Sequence, residues 1–147
     1  MIQYLYNETE NYKEALYNYL LEHNADFPIP LSDKVDLKKY VKKINEFGKS
    51  IICTNENKII GVLLYYDNDL KERCGFLSVL SVDRKYQRQG IAKRMLNDSF
   101  RLLKKNNMIS YKIPTHVTNL QAINLYHSLG FNDYEKDSNT IYLIKSL

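Results

Sequence analysis

The stretch Gln87-Arg88-Gln89-Gly90-Ile91-Ala92, followed by Lys93, carries the residue types of an anion-binding loop. It lies between an apolar run ending at Val82 and a helix-period segment beginning near Ile91, so it leaves a strand and opens a helix. The first backbone N–H groups of a helix have no partner within it, and the helix dipole adds partial positive charge at the same end. Gly90 lets the backbone turn tightly and approach a ligand closely, Ala92 keeps its position small, and Arg88 and Lys93 add charge. That chemistry suits a pyrophosphate. The same composition also serves a plain strand-to-helix turn with solvated charges, and the loop alone leaves both readings open.

Other reactive side chains are scattered. The histidines and the two cysteines, Cys53 and Cys74, have no zinc-like spacing, so no metal site is expected. Both cysteines sit in strand-like apolar runs and read as small buried hydrophobes, outside any activating constellation.

The elements that must position these groups follow from periodicity. Tyr12, Ala15, Leu16, Tyr19, Leu20 and His23 recur at helical spacing, and the segment from Asn24 to Pro30 ends that helix. Leu37, Tyr40, Val41, Ile44 and Phe47 define a second helix, with capping residues between Ser32 and Asp36 and Gly48 as its stop. Ile51–Thr54 and Ile59–Tyr66 read as strands joined by a hairpin turn at 55–58, and Cys74–Val82 completes an antiparallel meander. A helix from about Ile91 to Lys105, a strand near Ile109–Val117, a helix from the N-cap Asn119 to Gly130, and a strand at Thr140–Ile144 follow. A short strand at the extreme N-terminus is a further expectation. The order predicts an α/β fold, a mixed sheet covered by helices on both faces.

Composition bounds the function. A chain of 147 residues, 44% hydrophobic, fits a single domain spanning 1–147 with one adequate core. Its 21 basic and 17 acidic side chains alternate without a long basic block, so nucleic acid is not an expected partner, while the modest positive balance suits an anionic small molecule. The start lacks a signal-peptide pattern and no apolar stretch reaches membrane-spanning length. The expectation is a cytoplasmic protein without membrane association, monomeric or homodimeric.

Two motifs together become specific. Val82 to Ala92 resembles the cofactor motif Q/R-x-x-G-x-G/A of the GCN5-related N-acetyltransferase (GNAT) family, and Asn119-Leu120-Gln121-Ala122-Ile123-Asn124-Leu125-Tyr126-His127-Ser128-Leu129-Gly130-Phe131 resembles its second motif, N-x-x-A-x-x-L-Y-x-x-x-G-F. The resemblance implies a mostly antiparallel central sheet whose fourth and fifth strands splay apart where acetyl-CoA enters; Pro114 falls on the fifth. It implies that Leu80-Ser81-Val82 pairs through its backbone with the pantetheine arm, that Gln87 to Lys93 hold the pyrophosphate, and that Asn119 lies near the cofactor as well as capping its helix.

By the same resemblance Tyr126 is the catalytic acid, since a phenol of pKa about 10 can protonate a departing thiolate whose conjugate acid has a pKa of about 8.5. Many members remove the amine's proton with a carboxylate near the fourth strand, but Cys74–Val82 contains neither an acid nor a histidine, so the general base is unassigned. Asp26, Phe27 and His116 are candidates for the acceptor side, with His23 nearby; the stretch from Asp26 to Ser32 is similar to one in members associated with polysaccharide gene clusters. The implied activity is direct acetyl transfer from acetyl-CoA to a primary amine of a small molecule, with an amino sugar or its nucleotide-linked form as the leading acceptor. The alternatives are a protein N-terminus, another small-molecule amine, or a non-catalytic domain that senses coenzyme A.

Overall fold

The computed structural model describes residues 1–147. Its elements are β1 (Ile2–Tyr6), α1 (Thr9–Glu22), α2 (Leu37–Phe47), β2 (Lys49–Asn55), β3 (Lys58–Tyr66), β4 (Cys74–Val82), α3 (Ile91–Lys105), β5 (Ser110–His116), α4 (Leu120–Ser128), β6 (Asn132–Lys136) and β7 (Thr140–Ser146). Short 3-10 turns occupy Asn24–Asp26, Leu31–Asp33 and Arg84–Tyr86.

Local chemistry accounts for most boundaries. The Asp36 side chain accepts the Lys39 N–H at 3.1 Å and so caps α2, whose Leu37, Tyr40, Val41 and Ile44 form the buried stripe. In the turn between β2 and β3, Glu56 and Asn57 both take positive φ, at 50° and 65°, the backbone of a tight hairpin whose twist matches its strands. Ala15 and Phe47, which the spacing assigned to apolar faces, are exposed.

The sheet has seven strands in the order β1-β2-β3-β4-β5-β7-β6. All pairs are antiparallel except β4 with β5, which run parallel because α3 carries the chain back over one face. One hydrophobic cluster fills the space under α3 and α4, with Met95, Leu96 and Leu103 against Leu63, Tyr65, Ile113 and Leu143. A second lies under α1 and α2, with Leu16, Leu20 and Ile44 against Ile52, Val62 and Val79. Residues Ile59 to Tyr65 of β3 are therefore all buried, an uninterrupted apolar run in a strand with helices on both faces.

β6 is the element that periodicity missed. Its residues Asn-Asp-Tyr-Glu-Lys are all exposed and offer no alternating apolar face; the strand exists because β7 supplies a ladder for its backbone.

Tyr111 contributes a fully buried ring whose hydroxyl has no well-formed hydrogen bond, the nearby Ser99 hydroxyl giving its proton to the Leu96 carbonyl at 2.7 Å. An unsatisfied buried hydroxyl costs about 1–3 kcal/mol. Tyr111→Phe is therefore expected to stabilise the fold by about 1 kcal/mol, read as a higher urea midpoint at an unchanged slope.

Candidate functional site

The site begins where two strands part. β4 pairs with β5 only at Cys74, Gly75 and Phe76, opposite Ser110, Tyr111 and Lys112, whereas β5 pairs with β7 along its whole length. Beyond Phe76, β4 carries a bulge: Leu64 faces Val79 and Tyr65 faces Leu77, so Ser78 has no opposite residue on β3. On β5, Pro114 lies past the last residue paired with β4 and has no N–H to extend a ladder.

The orientation of the free edge follows from two bonds. Asp83 donates its N–H to the Ile60 carbonyl at 2.8 Å, toward β3, while the Val82 carbonyl accepts the Gln87 Nε2 at 3.0 Å on the other side. Backbone groups alternate along a strand, so the N–H groups of Leu80 and Val82 point into the opening. Two tyrosines tie this stretch to the helices above it. Tyr19 of α1 meets the Ser81 Oγ at 2.9 Å, and Tyr40 of α2 meets the Ser78 hydroxyl; burial pushes both phenols up.

The opening continues into a groove of about 570 Å³ whose far wall is the start of α3. The first intrahelical bond there is from the Arg94 N–H to the Gly90 carbonyl at 2.9 Å, which leaves the N–H groups of Ile91, Ala92 and Lys93 without partners in the helix. Gly90 has φ 81° and a Cβ placed on it would meet nothing within 4 Å, so glycine is needed here for backbone conformation, and the space beside it is open to a ligand. Arg88 is also left-handed, at φ 65°. Arg88 and Lys93 line the groove, and Gln87 closes the loop back onto β4.

Tyr126 forms the opposite wall. It is 4% exposed, lines the groove, and its hydroxyl is engaged by no protein group; burial pushes the phenol up, so it holds its proton through the neutral range. Its place is fixed by the end of α4. Gly130, at φ 95°, lets the Phe131 N–H reach back to the Tyr126 carbonyl at 3.0 Å and its own N–H reach the His127 carbonyl at 3.1 Å. This is the double bond pattern of a glycine-terminated helix. The Phe131 and Tyr126 rings then pack with centroids 5.8 Å apart. At the other end of α4, Asn119 accepts the Ala122 N–H at 3.4 Å and lines the groove as well.

The third wall comes from the segment after α1. Asp26, Phe27 and Pro28 line the groove, and Asp26 is its only carboxylate. The Asp26 Oδ2 lies 3.0 Å from the His23 Nδ1, its Oδ1 lies 3.5 Å from the Arg84 guanidinium, and the His23 Nε2 lies 3.6 Å from the Asp83 carboxylate. The His23 ring is buried and packs against Tyr19 at 4.2 Å.

Of the candidates named from sequence, the structure brings Leu80, Ser81, Val82, Gln87, Arg88, Gly90, Ile91, Ala92, Lys93, Asn119, Tyr126, Asp26 and Phe27 to one groove. Two lie outside its lining. Gln89 is exposed to solvent at the loop tip. His116 shares the face of β5 that carries Lys112 and Pro114, opposite the buried face of Tyr111, Ile113 and Thr115; its Nδ1 accepts the Thr118 N–H at 3.2 Å and closes the turn into α4. Pro28, Tyr86, Gln121, Ala122 and Leu125, which were not among the site candidates, complete the wall, although Ala122 and Leu125 are fixed positions of the second motif. For Ala122 and Leu125 the helical spacing from Tyr126 carried a signal; for Tyr86 and Gln121 nothing local did.

Comparison with known proteins decides the family. The sequence model described as the acetyltransferase (GNAT) family matches residues 10–131. The chain belongs to that family. Among curated relatives, the [ribosomal protein bS18]-alanine N-acetyltransferase of Escherichia coli is 37% identical over 54 residues, covering 37% of this chain and 36% of that protein. Human N-alpha-acetyltransferase 30 is 32% identical over 59 residues, 40% of this chain and 16% of its own length. The matches thus span little more than a third of the first relative and less than a fifth of the second.

Solved GNAT structures share the fold across the whole chain. A Staphylococcus aureus GNAT acetyltransferase superposes with a TM-score of 0.82 at 19% identity, covering 100% of this chain and 99% of that one. The Escherichia coli ribosomal-protein-S18-alanine N-acetyltransferase gives 0.77 at 22% identity, covering 99% and 94%. The Thermoplasma acidophilum paiA N-acetyltransferase, solved in complex with coenzyme A, gives 0.74 at 14% identity, covering 100% and 99%.

The glycine that ends α4 offers a test of how this GNAT chain holds Tyr126. A Cβ on Gly130 would lie 2.8 Å from the Lys145 Nζ, a flexible group that can yield, but the left-handed backbone remains costly for any L side chain. Gly130→Ala is expected to cost about 1–2 kcal/mol by urea unfolding, with faster amide exchange at Phe131 than in the parent.

Proposed function

We propose that this chain is an acetyl-CoA-dependent N-acetyltransferase that moves the acetyl group directly to a primary amine. The observation that carries the reading is the meeting, in one groove, of an unpaired β4 edge, three free N–H groups at the start of α3, and a buried phenol with its hydroxyl open. These parts fit acetyl-CoA in order along its length. The N–H groups of Ile91 to Lys93, with the Arg88 and Lys93 side chains, suit the pyrophosphate. Leu80 and Val82 present N–H and C=O groups to the amides of the pantetheine arm, as a neighbouring strand would.

Acetyl-CoA, when bound, supplies a thioester-activated acetyl group. An N–H from the Leu80–Val82 edge polarises its carbonyl oxygen. Tyr126 gives its proton to the departing sulfur. Neither cysteine lines the groove, and burial raises the Cys53 thiol, which argues for direct transfer over a cysteine relay.

For the acceptor, we favour the α-amine of a protein or peptide over the amino sugar suggested by the Asp26–Ser32 stretch. The support is the pair of curated relatives, whose names specify N-alpha and ribosomal-protein alanine acetylation.

Titration with acetyl-CoA tests the donor: a rise in melting temperature with concentration is expected, and the absence of both stabilisation and binding rejects it. Tyr126→Phe should keep coenzyme A affinity and lose about 10²-fold in kcat. Because burial raises that phenol, the parent should show no loss of kcat from its ionisation up to about pH 10. Free-thiol release across alanine-initiated hexapeptides, glucosamine and a nucleotide-linked amino sugar separates the acceptors. Turnover confined to the sugars rejects the peptide reading.

A further inference from the structure

We propose that His23 is a positioning residue for the acetyl donor: from the end of α1 it holds the turn through which β4 runs into the pyrophosphate loop. The inference rests on the acetyltransferase reading above and adds to it a residue outside the groove lining.

The loop has a shape that needs outside support. Arg88 and Gly90 both take left-handed backbone, at φ 65° and 81°, and the first is costly for a residue with a side chain. The three N–H groups that follow Gly90 have no partner in the helix. Such a conformation persists only where the surrounding structure over-determines it.

Three anchors do so. The Gln87 Nε2 returns to the Val82 carbonyl at 3.0 Å, and the Tyr86 hydroxyl accepts from the Asn55 Nδ2 at 3.0 Å, which ties the turn to the hairpin between β2 and β3. The third anchor is Asp83, at the hinge itself. Its N–H donates to the Ile60 carbonyl at 2.8 Å and its carbonyl accepts the Tyr86 N–H at 2.9 Å. Its Oδ1 accepts the Lys85 N–H at 2.9 Å, and its Oδ2 lies 3.6 Å from the His23 Nε2. The last contact brings α1 to the loop.

His23 can serve as an anchor because it is held on several sides. It ends α1, its N–H bonded to the Tyr19 carbonyl at 3.0 Å. The ring is buried, packs on the Tyr19 ring with centroids 4.2 Å apart, and turns its Nδ1 to the Asp26 Oδ2 at 3.0 Å. Tyr19 in turn meets the Ser81 Oγ at 2.9 Å. The pairs Tyr19–Ser81 and His23–Asp83 are in register because four residues of helix advance about 6 Å and two residues of strand about 6.6 Å. One face of α1 thus matches one face of the diverging end of β4. The Asp26 Oδ1 also faces the Arg84 guanidinium at 3.5 Å, but Arg84 is 80% exposed and that pair adds little.

The division of labour follows. Tyr19 steadies the edge that meets the pantetheine arm, and His23 steadies the hinge where that edge becomes the pyrophosphate loop. Removing His23 therefore acts on the donor through its nucleotide half.

The test compares donors with and without that half. His23→Leu keeps buried bulk and loses both polar contacts; its dissociation constant for coenzyme A, by calorimetry, should rise about tenfold. The ratio of kcat/KM for acetyl-CoA to that for S-acetylpantetheine, which has no pyrophosphate, should fall by a similar factor, read as thiol release with an alanine-initiated hexapeptide and with glucosamine. A glutamine amide reaches where Nε2 stands and an asparagine amide where Nδ1 stands. His23→Gln should therefore stay close to the parent in coenzyme A affinity, while His23→Asn should resemble His23→Leu. Asp83→Asn, which keeps the Lys85 cap and weakens the His23 contact, should move affinity in the same direction and serves where His23→Leu proves too unstable to measure. A merely structural role lowers the urea midpoint and leaves the donor ratio alone. Parent-like coenzyme A affinity in the folded variants, equal losses toward both donors, or a His23→Gln as impaired as His23→Leu overturns the proposal. A parent that binds no coenzyme A rejects the donor reading instead, so the two failures are told apart.

Discussion

The groove depends on β4 and β5 lying side by side for only three residue pairs. Backbone polar groups inside a sheet require partners, and a strand that leaves its neighbour exposes a row of N–H and C=O groups to whatever can enter. The separation is built in. The Ser78 bulge bends β4, Pro114 cannot extend a ladder from β5, and α3 with its entry loop occupies the end of the gap. Tyr19 and Tyr40 then hold the diverging strand from above through Ser81 and Ser78.

Each wall of the groove is anchored in one of the two cores. Ile91 and Met95 sink α3 into the cluster beneath it, so the free N–H groups at its start stand on a rigid base. Tyr126 belongs to the same cluster, and the Gly130–Phe131 termination of α4 fixes its ring from the backbone side. The segment carrying Asp26 and Phe27 hangs from α1, whose Leu16, Tyr19 and Leu20 anchor it in the opposite core. Side chains from both faces of the sheet can therefore meet only where the sheet itself opens.

Much of this was legible in the sequence. The α3 boundaries at Ile91 and Lys105, the β4 boundaries at Cys74 and Val82, and the cap at Asn119 coincide with the structure because each is decided by local periodicity or capping chemistry. β6 was not legible, since its five polar, exposed residues form a strand only against β7. His116 illustrates a different limit. Its position in the chain suggested the acceptor side, but strand alternation turns it to the face away from the core, while His23, with an ordinary helical spacing, ends beside a groove carboxylate.

By itself, then, the sequence determined the capped helices, the hairpin, the glycine turns at Gly90 and Gly130, and the two motifs that mark the family, because each depends on residues within a turn or two of one another. Only the tertiary structure decided that β4 parts from β5 after Phe76, that Gln89 and His116 stand outside the groove, and that Asp26 is backed by His23 with Asp83 behind it. Those outcomes rest on pairing and packing between distant segments, whose register and facing are set by how the two cores close on the sheet.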